Sequence, residues 1–267
     1  MKKRKPLVLL FGDNHAGGFT AMCPPKFKLD DGGWYHASPV QSAIHGFWKN
    51  AINHVMTSGR DIIVTHMADA VDGVVKHSVQ SISNIADQER LAIEILKPIV
   101  QHKAVKRFIM LRGTEAHVGK SAASEVRIAD NLCVELYWKF WLDVQGVTFD
   151  LAHHGQGGQS LWSSNAAKTV ANVILNCAND SLSNSVKLEI PRYIVRAHTH
   201  KIDDSGSKNP HCRAFTTPAL QAANAYSYRV NSIGRADIGI VVVDTENDND
   251  VRFITYSAPL DRIIVKV

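Results

Sequence analysis

The chain has 267 residues, 45% hydrophobic and 21% charged, the balance of an ordinary globular protein, which excludes wholesale disorder. No apolar run approaches the roughly 20 residues that span a bilayer, and the apolar stretch behind the basic start (Lys2, Lys3, Arg4, Lys5) is too short for a signal-peptide core, so a cytoplasmic location with no membrane partner is expected. A net charge of +5 allows a polyanionic partner such as nucleic acid without requiring one, and four scattered cysteines with no CxxC pair argue against a structural zinc or a disulfide framework.

Leu7 to Phe11 is a short apolar run that stops at Gly12-Asp13-Asn14-His15, the pattern of a buried strand entering a loop. Gly17 to Asp31 has two glycines, two prolines and no periodicity, and reads as a long loop, with 17–41 as a whole lying over or near a site. Ser42 to Thr57 places Ile44, Phe47, Trp48, Ala51, Ile52 and Val55 at helical spacing. Asp61 to Thr65 is a second strand, followed by a loop from His66 to Gly73. The spacing predicts a helix over Ser83 to Val100, a third strand over Arg107 to Leu111, a loop over Arg112 to Gly119 and a helix over Ser124 to Trp141. Val147 to Ala152 is a fourth strand ending at His153-His154-Gly155, Trp162 to Cys177 a further helix, and Tyr193 to Ala197 a fifth strand ending at His198-Thr199-His200. Cys212 to Thr217, Ile238 to Asp244 and Val251 to Ser257 read as extended, the last two joined by a turn at Asn247-Asp248-Asn249-Asp250. The alternation of strand, loop and helix predicts an α/β layered fold. With no linker or repeat, one domain over residues 1–267 is expected.

The polar residues at the strand ends are the informative part. Each of the five apolar runs is followed at once by Asp, His or Glu, and loops at the carboxyl ends of α/β strands converge. They bring together Asp13 and His15, Asp69 and Asp72, Glu115 and His117, His153 and His154, and His198 and His200. Mixed carboxylate and imidazole donors suit borderline divalent ions. A carboxylate can bridge two such ions, which neutralise phosphate and acidify a bound water. His36, His45, His54, His66, His77, His102 and His211 fit no such pattern and are expected in core or surface roles.

Gly12-Asp13-Asn14-His15, Ala68-Asp69-Ala70-Val71-Asp72-Gly73, Arg112-Gly113-Thr114-Glu115-Ala116-His117, Ala152-His153-His154-Gly155 and Ala197-His198-Thr199-His200 resemble, in order, the motifs of calcineurin-like metallophosphoesterases. The resemblance runs from about residue 7 to 200. It implies a four-layer αββα sandwich and a hydrolase that cleaves phosphate esters with metal-bound hydroxide. Two divalent ions are implied, Mn²⁺ first, with Fe, Zn, Co, Ni or Mg as alternatives. Asp13, His15 and His200 would hold one ion, Asp69 would bridge, and His198 with His153 or His154 would hold the other, His153 being preferred. Asp72 would support the site. The third motif departs from the family's Gly-Asn-His: Thr114 takes the Asn position and Glu115 the His position. Glu115 could ligate in place of Asn, His117 could protonate the leaving group or hold phosphate, and Arg112 could contact phosphate. Similar Gly-Thr-Glu-x-His forms are familiar from phage-type members.

The basic balance, and Phe19, Trp34, Tyr35, Lys26 and Lys28 in the loop after the first motif, favour a phosphodiester of DNA, RNA or a nucleotide as substrate. Tyr226, Tyr228 and Arg229 are candidates for the rim of the site. The alternatives are a phosphomonoesterase acting on protein or a small molecule, and a non-catalytic binding protein with a degenerate site. Intact Asp13, His15, Asp69, His198 and His200 argue against the last.

Overall fold

In a computed structural model the described residues are 4–74, 79–154, 171–172, 174–176, 179, 189–207, 209, 211–224, 236–247 and 250–257. Strand β1 (Leu7–Phe11) is buried at all five positions. A strand covered on both faces needs a continuous apolar run, and Leu7 to Phe11 supplies it. It pairs in parallel with β4 (Ile62–His66) and antiparallel with β11 (Ile238–Asp244). Beyond β4 come β5 (Val105–Leu111) and β6 (Glu135–Tyr137), and beyond β11 comes β12 (Val251–Tyr256), giving the order β12-β11-β1-β4-β5-β6.

Alternation along the strands separates two cores. Leu7, Leu9 and Phe11 face Ile44 and Trp48 of α1 (Pro39–Met56), Leu91 and Leu96 of α2 (Ile85–Val100) and Ile128 of α4 (Ala123–Leu132). Val8, Leu10, Ile109, Val241 and Val243 face a second sheet, meeting Leu142, Phe149, Leu151, Tyr193 and Phe215. That sheet has the order β10-β9-β8-β7, from β7 (Lys139–Val144), β8 (Val147–Ala152), β9 (Tyr193–Arg196) and β10 (Arg213–Thr216). Its outer face carries Ile194, Cys212 and Ala214, against which Ile174 packs from a helical stretch. Among the described residues the layers run helix, sheet, sheet, helix: the α/β class that the alternation predicts, in the four-layer form that the resemblance implies.

Local chemistry sets the helix starts. Ser38 caps α1 by accepting from the Gln41 amide, while Gln41 Oε1 accepts from the Ser38 amide, a reciprocal pair worth about 1 kcal/mol. Asn84 caps α2 through the Ala86 amide.

Three expectations change. The helix predicted from Ser124 to Trp141 stops at Leu132, where Cys133 turns left-handed at φ 54°. Strands β6 and β7 follow. The four-residue spacing of Leu132, Leu136 and Phe140 imitates a helix, but Phe140, Leu142 and Val144 belong to a period-two pattern facing the sandwich interior. The long loop after the first motif carries a hairpin, β2 (Lys26–Lys28) with β3 (Trp34–His36). The loop from Arg112 to Gly119 contains a short helix, α3 (Glu115–Val118). Most of the helix expected from Trp162 to Cys177, the turn residues Asp248 and Asn249, His77, and Tyr226, Tyr228 and Arg229 lie outside the described residues. Among the described residues no helix is long and apolar enough to cross a membrane.

Candidate metal centre

Strands β1, β4 and β5 are parallel neighbours, so the loops after them leave one edge of the larger sheet together. The first two loops are laced by backbone bonds: Asp13 N to Ala68 O at 2.8 Å, His15 N to Asp69 O at 3.0 Å, Ala16 N to Ala70 O at 3.0 Å and Asp72 N to Ala16 O at 3.0 Å. The smaller sheet meets them from the other side. Its parallel pair β8 and β9 brings His153 and His198 to one edge, where Ala197 N donates to His153 O at 3.0 Å and His198 N to Asp13 Oδ2 at 3.0 Å.

The backbone is left-handed at Asp13 (φ 48°), His15 (45°), Asp69 (47°), His198 (70°) and His200 (53°). Each such non-glycine residue costs on the order of 1 kcal/mol, and such residues gather where surrounding structure forces side chains into a site.

Asp13 Oδ1 lies 3.7 Å from His15 Nε2 and 3.4 Å from His200 Nε2, and the two Nε2 atoms are 3.0 Å apart. Asp72 Oδ1 stands 3.5 Å behind His15 Nδ1, and Gln80 donates to Asp72 Oδ2 at 3.3 Å. Next to this group, Asp69 Oδ2 is 3.0 Å from His153 Nε2 and 3.7 Å from His198 Nδ1. His153 Nδ1 is 2.7 Å from the Met67 carbonyl. A carbonyl only accepts, so Nδ1 carries a proton, and in neutral His153 the Nε2 lone pair faces the carboxylate.

A proton or a metal ion at Nε2 would resolve that clash, and the same holds for the facing nitrogens of His15 and His200. Among the described residues Asp13 Oδ1 is buried with no hydrogen-bond partner, as expected of an atom suited to a ligand. Among the described residues four groups of side chains have ligand atoms within 4.8 Å of one another: Asp13, His15 and His200; His153, His154 and His198; His15, Asp69 and His117; and Asp13, Asp69 and His153. The donors fit borderline divalent ions.

Electrostatics agree. Burial raises the Asp69 carboxyl, but His153, by charge and hydrogen bond, and His198 hold it well below the usual range. Asp13 is likewise pushed up by burial and held low overall by His200 and His15. Burial lowers His15 and His153, yet Asp13 and Asp72 carry the first to about 10 and Asp69 carries the second to about 9. His154, exposed at its surface yet partly desolvated by its neighbours, falls to about 4, through that desolvation and the adjacent His198 and His153.

The third loop departs most from expectation. Thr114 N donates to Asp69 Oδ1 at 2.8 Å, and its hydroxyl lies 3.2 Å from Oδ2. Gly113 N donates to Glu125 Oε2 at 2.5 Å, while Ala70 N donates to Glu125 Oε1 at 3.4 Å. A Cβ at Gly113 would collide with Asp69 Oδ1, so only glycine admits this approach. Glu115 is exposed, accepts from Ser121 N at 3.4 Å and belongs to none of the four groups. Arg112 donates to Ser121 O at 2.9 Å and lies 5.3 Å from the Trp138 ring centroid. His117 is half-buried with its ring 4.4 Å from His15; its Nδ1 is 2.8 Å from Asp72 O, and among the described residues its Nε2 makes no hydrogen bond.

His153 and His154 both join the group with His198, the first buried and the second exposed. Because β8 ends at Ala152, the two rings are not held to opposite faces as successive strand residues would be. Sequence reasoning missed Thr114 and Glu125 as the residues that hold Asp69 and its loop. Glu125, pushed to about 8 by burial and Asp69, looks in sequence like any acid in the first turn of a helix. His66, expected in a core or surface role, is buried with its ring 5.4 Å from Phe11.

No protein-family model and no curated protein matches the sequence. Solved structures do match. A hypothetical protein of Pyrococcus horikoshii OT3 superposes with a TM-score of 0.52 at 11% identity, over 93% of this chain and 87% of its own. An archaeal phosphodiesterase gives 0.44 at 11% identity over 94% and 99%, and Vps29 of Entamoeba histolytica, complexed with zinc, gives 0.45 at 12% over 94% and 98%. At such identity the likeness to the Pyrococcus protein bears on the fold alone: the layered arrangement recurs over nearly the whole chain.

Proposed function

We propose that this chain is a metal-dependent phosphoesterase with a two-ion site. One observation carries the reading: two donor groups, Asp13 with His15 and His200, and His153 with His154 and His198, are joined through the group of Asp13, Asp69 and His153, with Asp69 Oδ2 3.0 Å from His153 Nε2 and 3.7 Å from His198 Nδ1. Asp69 would be shared between the two ions. The fold has the layers that the resemblance to calcineurin-like metallophosphoesterases implies. Bound divalent ions, Mn²⁺ first among them, would neutralise phosphate and lower the pKa of water.

The residues around the donors hold them in place. Asp72 backs His15, the carboxylate behind an imidazole that fixes its orientation. Thr114 fixes the Asp69 carboxylate through its amide and hydroxyl. His117, held through Nδ1 by the Asp72 carbonyl, presents Nε2 for proton exchange with the leaving oxygen.

A phosphodiester of nucleic acid or a nucleotide is the preferred substrate. Phe19 is 54% exposed, Trp34 is 51% exposed beneath Lys26 at 4.0 Å, and Trp138 is 55% exposed beside Arg112 at 5.3 Å. Exposed rings with cations suit stacked bases and phosphates. The test is hydrolysis of bis(p-nitrophenyl) phosphate, p-nitrophenyl phosphate and single-stranded DNA with added Mn²⁺. Cleavage of the diester and the DNA, lost on chelation, is expected. Activity on the monoester alone overturns the nuclease preference. No activity and no bound metal overturns the enzyme reading in favour of a binding protein.

A further inference from the structure

We propose that one ion of the two-ion site is held by three imidazoles, His153, His154 and His198, together with Asp69, and that His154 supplies the donor the third loop withholds. This rests on the metal-dependent reading above. The resemblance leads one to look for that donor at Thr114 or Glu115. Thr114 turns its amide and hydroxyl onto the Asp69 carboxylate. Glu115 points to the Ser121 amide and shares no group with any candidate donor.

The doubled histidine fills the gap. The His154 ring lies 4.2 Å from His198 and 4.9 Å from His153, and His153 lies 5.1 Å from His198, centroid to centroid. Each ring offers a nitrogen within 4.8 Å of the others. Nitrogens about 2.1 Å from one ion lie at most about 4.2 Å apart, so little tightening is needed. Among the described residues the His154 imidazole makes no hydrogen bond, whereas His153 is tied to Met67 O. The backbone permits both rings to converge: β8 has ended at Ala152, and His153 O is fixed by Ala197 N. Asp69 stands beside the three rings, its Oδ2 3.0 Å from His153 Nε2 and 3.7 Å from His198 Nδ1, and three nitrogens with one carboxylate oxygen would suit zinc, cobalt or manganese, with room for a further ligand. His154 is the exposed member, so it closes the solvent side of this ion.

The test is titration of the metal-free full chain with Co²⁺, followed by calorimetry and visible absorption. The wild type is expected to take two ions. His154→Ala should keep one ion at wild-type affinity and bind the other more than tenfold more weakly, with the second step of the absorption change lost. Losing even a hydrogen-bond partner of a ligand costs about 10–100-fold in affinity. His154→Gln, which restores an oxygen donor, should recover part of the loss, and Glu115→Ala should match the wild type. Retention of the first ion shows that each variant is folded. Two ions bound normally by His154→Ala, or a second ion lost in Glu115→Ala, would overturn the assignment and leave the metal-dependent reading standing. A wild type that binds no Co²⁺ would overturn both.

Discussion

The two ends of the larger sheet treat buried charge in opposite ways. At the end where β1 begins, Arg60 spans Asp244 with bonds of 2.7 and 2.8 Å and donates to the Lys5 carbonyl. The Asp244 oxygens also accept from Glu246 N at 2.9 Å and Asn247 Nδ2 at 3.2 Å. At the end where β1 finishes, Asp13 Oδ1 and both amide atoms of Asn14 are buried with no hydrogen-bond partner among the described residues, and the backbone at Asp13 and His15 is left-handed. One end is satisfied from within; the other is arranged for something that comes from outside. Damage at the first should therefore unfold the protein, and damage at the second should disarm it.

The largest expected effect is at the open end. Asp69→Asn alters the carboxylate that belongs to two of the donor groups, and on the proposed metal-dependent reading hydrolysis of bis(p-nitrophenyl) phosphate should fall roughly 1,000-fold or more, since a bound metal would contribute several kcal/mol at the transition state. The far-ultraviolet spectrum should not change; an unfolded Asp69→Asn would break the comparison. At the satisfied end, Arg60→Met strands a buried carboxylate and should cost about 3–5 kcal/mol in urea denaturation, with ion stoichiometry unaltered in the protein that remains folded. Asp244 sharpens this further. Burial raises its carboxyl, but Arg60 and the Glu246 amide bring it down to about 2 from an ordinary 3.8. A depressed acid stabilises above its unfolded pKa and loses that contribution as pH falls, so the Arg60 effect should be complete above pH 3.8 and fade toward about pH 2.

Gly113→Ala tests whether the open end is also tightly packed. The added methyl meets Asp69 Oδ1, and overpacking of this kind costs about 1–3 kcal/mol. Melting temperature and metal affinity should fall together; a loss of stability with full metal binding would show that Asp69 can move aside. The smallest effect is at the rim. Trp138→Ala should raise KM for single-stranded DNA by roughly fivefold or more, from the loss of about 1 kcal/mol or more of stacking, without touching the rate on bis(p-nitrophenyl) phosphate.

Much of this was legible in the sequence, because a fully buried strand must read as an apolar run and a strand-end loop must show its donors at once. Leu7 to Phe11 followed by Asp13 and His15 shows both rules. Pattern failed where two periods coincide: Leu132, Leu136 and Phe140 satisfy a helix until Cys133 turns the chain and β7 takes over. It failed again where a role depends on geometry. Nothing in the spelling of Gly113-Thr114-Glu115 says that the threonine turns toward Asp69 and the glutamate away. Glu125 receives the Gly113 amide from a helix twelve residues further on, a partnership that only the folded chain creates.

The pairing of Leu7 with Asp244 has a temporal consequence. Strand β1 is made first, yet its antiparallel neighbour β11 emerges from the ribosome last but one among the named strands. Contacts so distant along the chain are slow to close. Throughout synthesis the Asp13 loop waits beside an open sheet edge, with the histidines at 198 and 200 not yet made. On the metal-dependent reading, ion capture would therefore come late in the birth of this protein, and a nascent chain cut short before residue 198 would carry the carboxylates of the proposed site with only part of its imidazoles.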